Sequence, residues 1–263
     1  MRPLRVPPEI TAHALPKEKL LEKVEEVRTT IESHNPAEPE VSIVIPAFNE
    51  GDKILATLSS LAFSASARSF EIIVVDNNST DDTAALVSLT GASCVTERTQ
   101  GITAARNRGL SASRGVYVLN ADADTIYPPG WIELMVKPLE SRKAAMTYGY
   151  HAFLPASGER NPAYLVYEYI GDFKKWINRR FREEAVNVYG FNSAFIREEG
   201  VAVNGFDHPP GTNEDGWLAV KLRKHTGRRL ICQTSPAARV WTSNRRLMAD
   251  GGLLKAMFKR LSP

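Results

Sequence analysis

Apolar residues in this chain fall into short runs separated by polar clusters, and the runs alternate between two periods. Residues 41–45 (VSIVI) form a short apolar strand that Pro46 should end, because proline has no N–H to give to a ladder. Residues 54–61 repeat at helical spacing, and residues 70–75 form a second, fully apolar strand. Ser79-Thr80-Asp81-Asp82 then supplies an N-cap and an acidic first turn for a helix. Residues 93–96 make a weaker strand, 102–113 a helix and 116–119 a fourth strand. Strands alternating with helices predict an α/β fold with a mostly parallel central sheet flanked by helices.

The flanks differ. Pro3, Pro7 and Pro8 oppose early regular structure. Leu20, Val24, Val27 and Ile31 then recur at steps of four and three, which predicts one helix over 16–33. Its apolar face suits packing on the main domain, pairing with another chain, or a membrane. Residues 34–40, with Pro36 and Pro39, read as a linker. The N-terminal 1–40 is therefore expected to be an extension, 41–235 the main domain, and 236–263 a basic amphipathic segment.

Polar clusters follow the strands: Asn49-Glu50 after the first, Asp76-Asn77-Asn78 after the second, Asp122-Ala123-Asp124 after the fourth. In a parallel sheet those positions converge on one edge, where ligands bind. Two carboxylates one residue apart project to the same side of extended backbone. They offer hard oxygens suited to Mg²⁺ or Mn²⁺ together with a phosphate. The chain has 263 residues and a net charge of +3, too slight an excess to argue for nucleic acid. Cys94 and Cys232 are far apart and lack zinc spacing, so two reduced thiols are expected. No stretch is apolar enough to span a bilayer, and no apolar signal-peptide core opens the chain. The expected location is cytoplasmic, or peripheral at the inner face of the membrane.

The segments VSIVIPAFNE, EIIVVDNNSTDDT, GITAARNRGLSASRGVYVLNADAD, YGFNSAFIREEGVAVNGFD and NEDGWLAVKLRKHTG, in this order, resemble the family 2 glycosyltransferases of GT-A fold. The resemblance runs from Val41 to about Gly227. It implies an inverting, metal-dependent transfer of a sugar from a nucleotide-sugar donor, UDP-linked by preference, to a hydroxyl of a glycan or lipid-linked acceptor, as in polysaccharide or glycolipid synthesis. It also implies roles. Pro46, Ala47, Asn49 and Glu50 would border the nucleotide, and Asp76 would accept a hydrogen bond from the base. Arg106 and Asn107 would lie near the donor. Asp122 would face the ribose or the metal, and Asp124 would bind the metal that bridges the diphosphate. Asp215 of the Glu214-Asp215 pair, opening a helix over about 216–224, would be the general base. Asn192 and Asp207 would shape the sugar and acceptor pocket. Some relatives carry a histidine metal ligand after that helix; Arg239-Val240-Trp241-Thr242-Ser243 has none, so Arg245 and Arg246 are candidates to bind the diphosphate directly.

A non-catalytic sugar-nucleotide or glycan-binding module with the same fold is the alternative; intact Asp122, Asp124 and Asp215 oppose it. A sugar nucleotidyltransferase is opposed by Pro46-Ala47-Phe48-Asn49-Glu50 where a glycine- and lysine-rich loop would stand. No G-x-G-x-x-G follows the first strand and no P-loop pattern occurs. Two stretches suit either an anionic lipid surface or packing on the protein. One holds Leu165, Ile170, Phe173, Trp176, Ile177 and Phe181 among Lys174, Lys175, Arg179, Arg180 and Arg182. The other holds Leu253, Leu254, Met257, Phe258 and Leu261 beside Lys255, Lys259 and Arg260, with Asp250 at its start. The sugar, the acceptor and the oligomeric state are not encoded in these patterns.

Overall fold

The computed structural model describes residues 2–155, 160, 162–249, 251–253 and 255. Ten strands are present among them: β1 (Val41–Ala47), β2 (Phe70–Asp76), β3 (Ser93–Thr96), β4 (Tyr117–Asn120), β5 (Thr125–Ile126), β6 (Ala144–Gly149), β7 (His151–Leu154), β8 (Ser193–Ile196), β9 (Arg229–Gln233) and β10 (Val240–Ser243). Helices α1 (Pro8–Thr11), α2 (Lys17–Leu21) and α3 (Val24–His34) precede β1; α4 (Ile54–Ala62), α5 (Thr83–Ser88) and α6 (Ile102–Ala112) lie between the first four strands. They are followed by α7 (Trp131–Glu140), α8 (Pro162–Phe181), α9 (Arg197–Ala202), α10 (Glu214–Thr226) and α11 (Arg245–Ala249).

Seven strands form one sheet in the order β3-β2-β1-β4-β8-β6-β9. The β3-β2-β1-β4 half is parallel, β8 runs antiparallel to both neighbours, and β9 is parallel to β6. A smaller sheet, β5-β10-β7, stands beside it.

The continuous apolar runs of β1 and β2 have a simple cause. Ile43, Ile45, Ile72 and Val74 face a core shared with α3, α4 and α7, while Val44, Ile73 and Val75 face a second core with α6 and α10. With both faces covered, alternation with polar residues disappears.

Pro46 does not end β1. It pairs with Val75 of β2, while the ladder with β4 stops at Val44↔Asn120. The edge facing β4 therefore requires no N–H from residue 46. The predicted N-terminal helix is two helices, broken at Glu22-Lys23. Leu20, Val27 and Ile31 nevertheless enter the same core as Ile54 and Leu58, so this segment packs on the sheet's flanking layer. At 79–83, Asp82 is the N-cap without a side-chain bond; Asp81 Oδ1 instead accepts from Thr83 N–H at 3.0 Å.

The end of the sheet away from the polar clusters is tied by a buried carboxylate. Glu71 accepts from Ser42 Oγ (2.6 Å), Arg114 N–H (2.7 Å) and Arg114 Nε (2.8 Å). Gly115 lies against this knot, donating its N–H to Ser42 Oγ at 2.8 Å. A Cβ on Gly115 would fall 2.6 Å from Ser42 N and Val41 C, both backbone atoms of β1. Gly115→Ala should therefore destabilise by about 1–3 kcal/mol, the usual range for overpacking a rigid site. Thermal unfolding checks this; an unchanged Tm would show that the β4 entry can shift.

Candidate active site

The polar ends of β1, β2 and β4 meet in a cavity of about 640 Å³, within the range of small-ligand sites. Its wall includes Pro46, Ala47, Phe48, Asn49 and Glu50 after β1, Asn77 after β2, and Asp122, Ala123 and Asp124 after β4. Arg106 enters from α6, Glu214 and Asp215 from α10, and Arg245 from α11.

Two loops at the β1 and β2 ends hold each other. Asn49, at φ 54°, accepts at Oδ1 from Thr80 N–H (2.8 Å) and donates its own N–H to Ser79 Oγ (3.0 Å). Asparagine tolerates this left-handed backbone better than most residues. Asn77 is spent on the wall itself: its amide donates to Glu97 O (2.9 Å) and Thr99 O (2.8 Å), and its Oδ1 accepts from Gly101 N–H (2.8 Å).

The turn after β4 is fixed from beneath. Arg106 is almost fully buried and donates Nη1 to Ala121 O (3.0 Å) and Nη2 to Asp122 Oδ1 (2.7 Å). Thr57 Oγ1 donates to Ala123 O (2.8 Å). Tyr127, fully buried, accepts from Asp122 N–H (2.9 Å) and donates its O–H to Phe191 O (3.0 Å). Burial, with the Asp122 charge beside it, holds the Tyr127 phenol well above its ordinary value, so it stays a donor.

Asp215 stands in the first turn of α10, whose N-cap Asn213 accepts from Gly216 N–H at 2.7 Å. Asp215 Oδ2 accepts from Gly190 N–H at 2.7 Å; Oδ1 is shielded from solvent and has no hydrogen-bond partner. Burial pushes this carboxyl up from 3.8 to about 7; the Arg106 charge opposes the shift, and Glu214 and Asp122 add to it. Gly190 is the point of close approach. A Cβ there would lie 2.3 Å from Arg106 Nη2 and 2.7 Å from both Asp215 carboxylate oxygens.

Glu50 and Arg245 close the outer side. The Arg245 guanidinium pairs with Glu50 Oε1 and lies 3.7 Å from Asp124 Oδ2. Glu50 Oε2 is buried with no hydrogen-bond partner. Among the described residues no group of three or more His, Cys, Asp or Glu is arranged to hold a metal. The donor set fits a hard divalent ion bound by one or two carboxylates with the remaining positions left to phosphate and water, the usual arrangement for Mg²⁺. Asp124 and Asp122 are the residues that would hold it.

Several expected site residues lie elsewhere. Asn192 is buried outside the cavity wall; its Oδ1 accepts from Trp131 Nε1 (2.8 Å) and its amide donates to Tyr150 O (2.8 Å). Its side chain thereby ties the start of β8 to α7 and to the end of β6. Asn107 donates to Asp207 Oδ1 and accepts from Phe206 N–H, each at 2.8 Å. Asn107 and Asp207 line a separate hollow with Leu110 and Val201. Asp76 ends β2, largely buried, and accepts from Ser79 N–H at 3.3 Å; Asn77 occupies the wall at that strand end. The Arg246 side chain lies outside the described residues. Tyr127 and Gly190 were given no individual role from the sequence, because their roles come from contacts 64 and 25 residues away.

The pattern described as "Glycosyl transferase family 2" matches residues 42–199, more than half of the chain. The chain belongs to this family. The UDP-Glc:alpha-D-GlcNAc-diphosphoundecaprenol beta-1,3-glucosyltransferase WfaP of Escherichia coli is 33% identical over 112 residues, 41% of this chain and 44% of that one. The glucosyl-dolichyl phosphate glucuronosyltransferase of Haloferax volcanii is 26% identical over 145 residues, 51% and 46% of the two chains. These matches thus span less than half the length of either relative. In fold, the chain resembles the mannosyltransferase PcManGT of Pyrobaculum calidifontis, solved with GDP-Man and Mn²⁺ (TM-score 0.60, 21% identity, 95% of this chain and 73% of that one). It also resembles TarS residues 1–349 of S. aureus, solved with UDP-GlcNAc (TM-score 0.60, 17% identity, 78% and 58%). The fold is GT-A, a mostly parallel central sheet flanked by helices.

Gly190→Ala tests the close approach. The added methyl must push Arg106 or Asp215 out of place, so ligand binding in the cavity should weaken by about tenfold or more and the Tm should fall, because a buried charge pair is disturbed. Calorimetry with a nucleoside diphosphate and thermal unfolding check it. Unchanged affinity would mean that the loop absorbs the methyl.

Proposed function

We propose that this chain transfers a sugar, with inversion, from a nucleotide-sugar donor to a hydroxyl of a glycan or lipid-linked acceptor. UDP is the nucleotide the residues suit best. The observation that carries this reading is Asp215: a carboxylate on the cavity wall, one oxygen held by Gly190 N–H and the other shielded and unpartnered.

The acceptor oxygen attacks the anomeric carbon as the bond from that carbon to the diphosphate breaks. The acceptor proton passes to Asp215 Oδ1, which has no competing donor. The electron pair of the broken bond leaves on the nucleoside diphosphate. An Asp raised to about 7 is a stronger base near neutrality than an ordinary Asp. Arg106 keeps Asp122 oriented and offsets the carboxylate charge around the reacting centre. A bound Mn²⁺ or Mg²⁺, held by Asp124 with Asp122, would neutralise charge on the leaving diphosphate. Arg245 can turn from Glu50 toward phosphate oxygens, which its forked donors suit. Pro46, Ala47, Asn49 and Glu50 border the nucleotide, and Asp76, behind Asn77 at the end of β2, accepts a hydrogen bond from the base.

Asp215→Asn should lower turnover by roughly 10²–10⁴ with little change in donor affinity. The native enzyme's rate should rise with pH up to about 7 and level off above, since only the ionised carboxylate accepts the proton. The sign for stability is opposite. The folded state holds this proton more tightly than the unfolded chain, so stability is lost as pH rises from about 4 to about 7. The Asn variant, free of that loss, should melt no lower than the native chain at pH 8. A near-normal rate for Asp215→Asn, or a flat pH profile, overturns the base assignment.

Asp124→Ala should weaken UDP binding at least tenfold in Mn²⁺ and little in chelator. Isothermal calorimetry checks both conditions. Equal affinity of the native chain with and without the ion removes the metal from the reading. A screen of nucleotide sugars for release of nucleoside diphosphate tests the transfer itself.

A further inference from the structure

Helix α8 buries Tyr164 and Tyr167 together with two charged residues and leaves large apolar side chains outside. Its protein-facing side carries charges: Glu168 and Lys175 are buried, and Arg2 pairs with Glu168 (2.8 Å) and Asp172 (2.6 Å). Its outward side carries Val166, Tyr169, Phe173, Trp176 and Phe181, with Phe173 60%, Trp176 51% and Phe181 69% exposed. The spacing 166, 169, 173, 176 keeps this apolar stripe on one face. The rings gather on each other instead of on the protein core: Phe173 stacks on Trp176 at 5.8 Å, and Phe181 meets Trp176 edge-on at 5.7 Å.

The charge beside the stripe has one sign. Lys174, Arg180 and Arg182 are exposed and, among the described residues, none of them forms an ion pair. Both acidic residues of the helix, Glu168 and Asp172, are engaged by Arg2 on the inner side. A second copy of this face would set cations against cations. An anionic surface with an apolar interior complements both features, because aromatic rings sit at the headgroup level and cations meet lipid phosphates. None of the helices among the described residues is long and apolar enough to cross a membrane, so the contact is one of lying on the surface.

We propose that α8 docks this protein on an anionic lipid bilayer, with Phe173, Trp176 and Phe181 inserted at the interface and Lys174, Arg180 and Arg182 over the headgroups. The inner side of the same helix backs one residue of the cavity wall: Lys175 Nζ lies 5.0 Å over the ring of Tyr189. The docking stands independently of the transfer chemistry.

The test uses the full chain with vesicles of phosphatidylcholine, alone or mixed with phosphatidylglycerol. Co-flotation is expected with the anionic vesicles at low salt, falling steeply as salt is raised. Trp176 fluorescence should shift to the blue on binding, and Trp176→Phe should lose that shift. The double variant Phe173→Ser/Trp176→Ser should reduce partitioning at least tenfold while its Tm and UDP affinity match the native chain. Absence of flotation by the native chain overturns the proposal, as does a double variant that floats equally well. A deletion of 250–263 that abolishes flotation while α8 is intact would assign the contact to the C-terminal segment. A concentration-dependent dimer in sedimentation that the double variant abolishes would give the face to a second copy.

Discussion

The buried guanidinium of Arg106 is the contact on which the cavity depends. It is a full charge removed from water, and such a charge is tolerated only with good geometry on all sides. The Asp122 carboxylate and the Ala121 carbonyl supply two of those sides, at 2.7 and 3.0 Å. Asp215 supplies the electrostatic third, across the Gly190 backbone. Without Arg106, Asp122 and Asp215 would repel each other across a poorly solvated space. With it, Asp122 is held in a fixed orientation, and the same cation opposes the rise that burial imposes on Asp215.

The sheet divides its polar residues between two ends. At one end Glu71 is satisfied by Ser42 and Arg114. At the other end Glu50 Oε2 and Asp215 Oδ1 are shielded yet lack partners. Unsatisfied buried acceptors cost on the order of 1–3 kcal/mol each. The parallel half of the sheet explains where they gather, since its strand ends open a crevice that flanking helices do not fill. The packed layers on both faces, with Trp131 and Phe195 fully buried, carry that local cost.

What the sequence disclosed follows the range of the interactions. The strands of the parallel half were legible because burial on both faces leaves continuous apolar runs, and β3 was located to the residue. The clusters after β1, β2 and β4 were legible because parallel topology alone brings them together. Asn192, Asn107 and Asp207 looked like site residues, yet their side chains are consumed by Trp131, Phe206 and each other. A polar residue near a cavity can brace it or bind in it, and local pattern does not separate the two. Gly190 and Tyr127 were illegible for the converse reason. Each acts through one long-range contact, with Asp215 and with Phe191, that has no periodic trace. The sequence marked the apolar and basic residues of α8, but not which side of it faced the protein. That depended on Arg2, far away in sequence, drawing Glu168 and Asp172 inward.

Arg245 shows how the small sheet completes the large one. Strand β10 pairs with β5 just past Asp124, and Ser243 N–H donates to the Asp124 carbonyl at 3.1 Å. Residue 245 is thereby delivered to the mouth of the cavity from nearly two hundred residues beyond Glu50, with which it pairs. The guanidinium then lies between Glu50 and Asp124, the carboxylates that follow β1 and β4 at the cavity mouth. Arg106 and Arg245 differ in freedom: the first is sealed beneath the turn, whereas the second is half-exposed at the start of a short helix. A sealed cation can only hold geometry. An exposed one can exchange a carboxylate for a phosphate at small cost, because water accompanies it through the exchange. The division of labour between the two arginines is therefore set by burial, and burial is set by whether the residue sits on a core helix or at the edge of the second sheet.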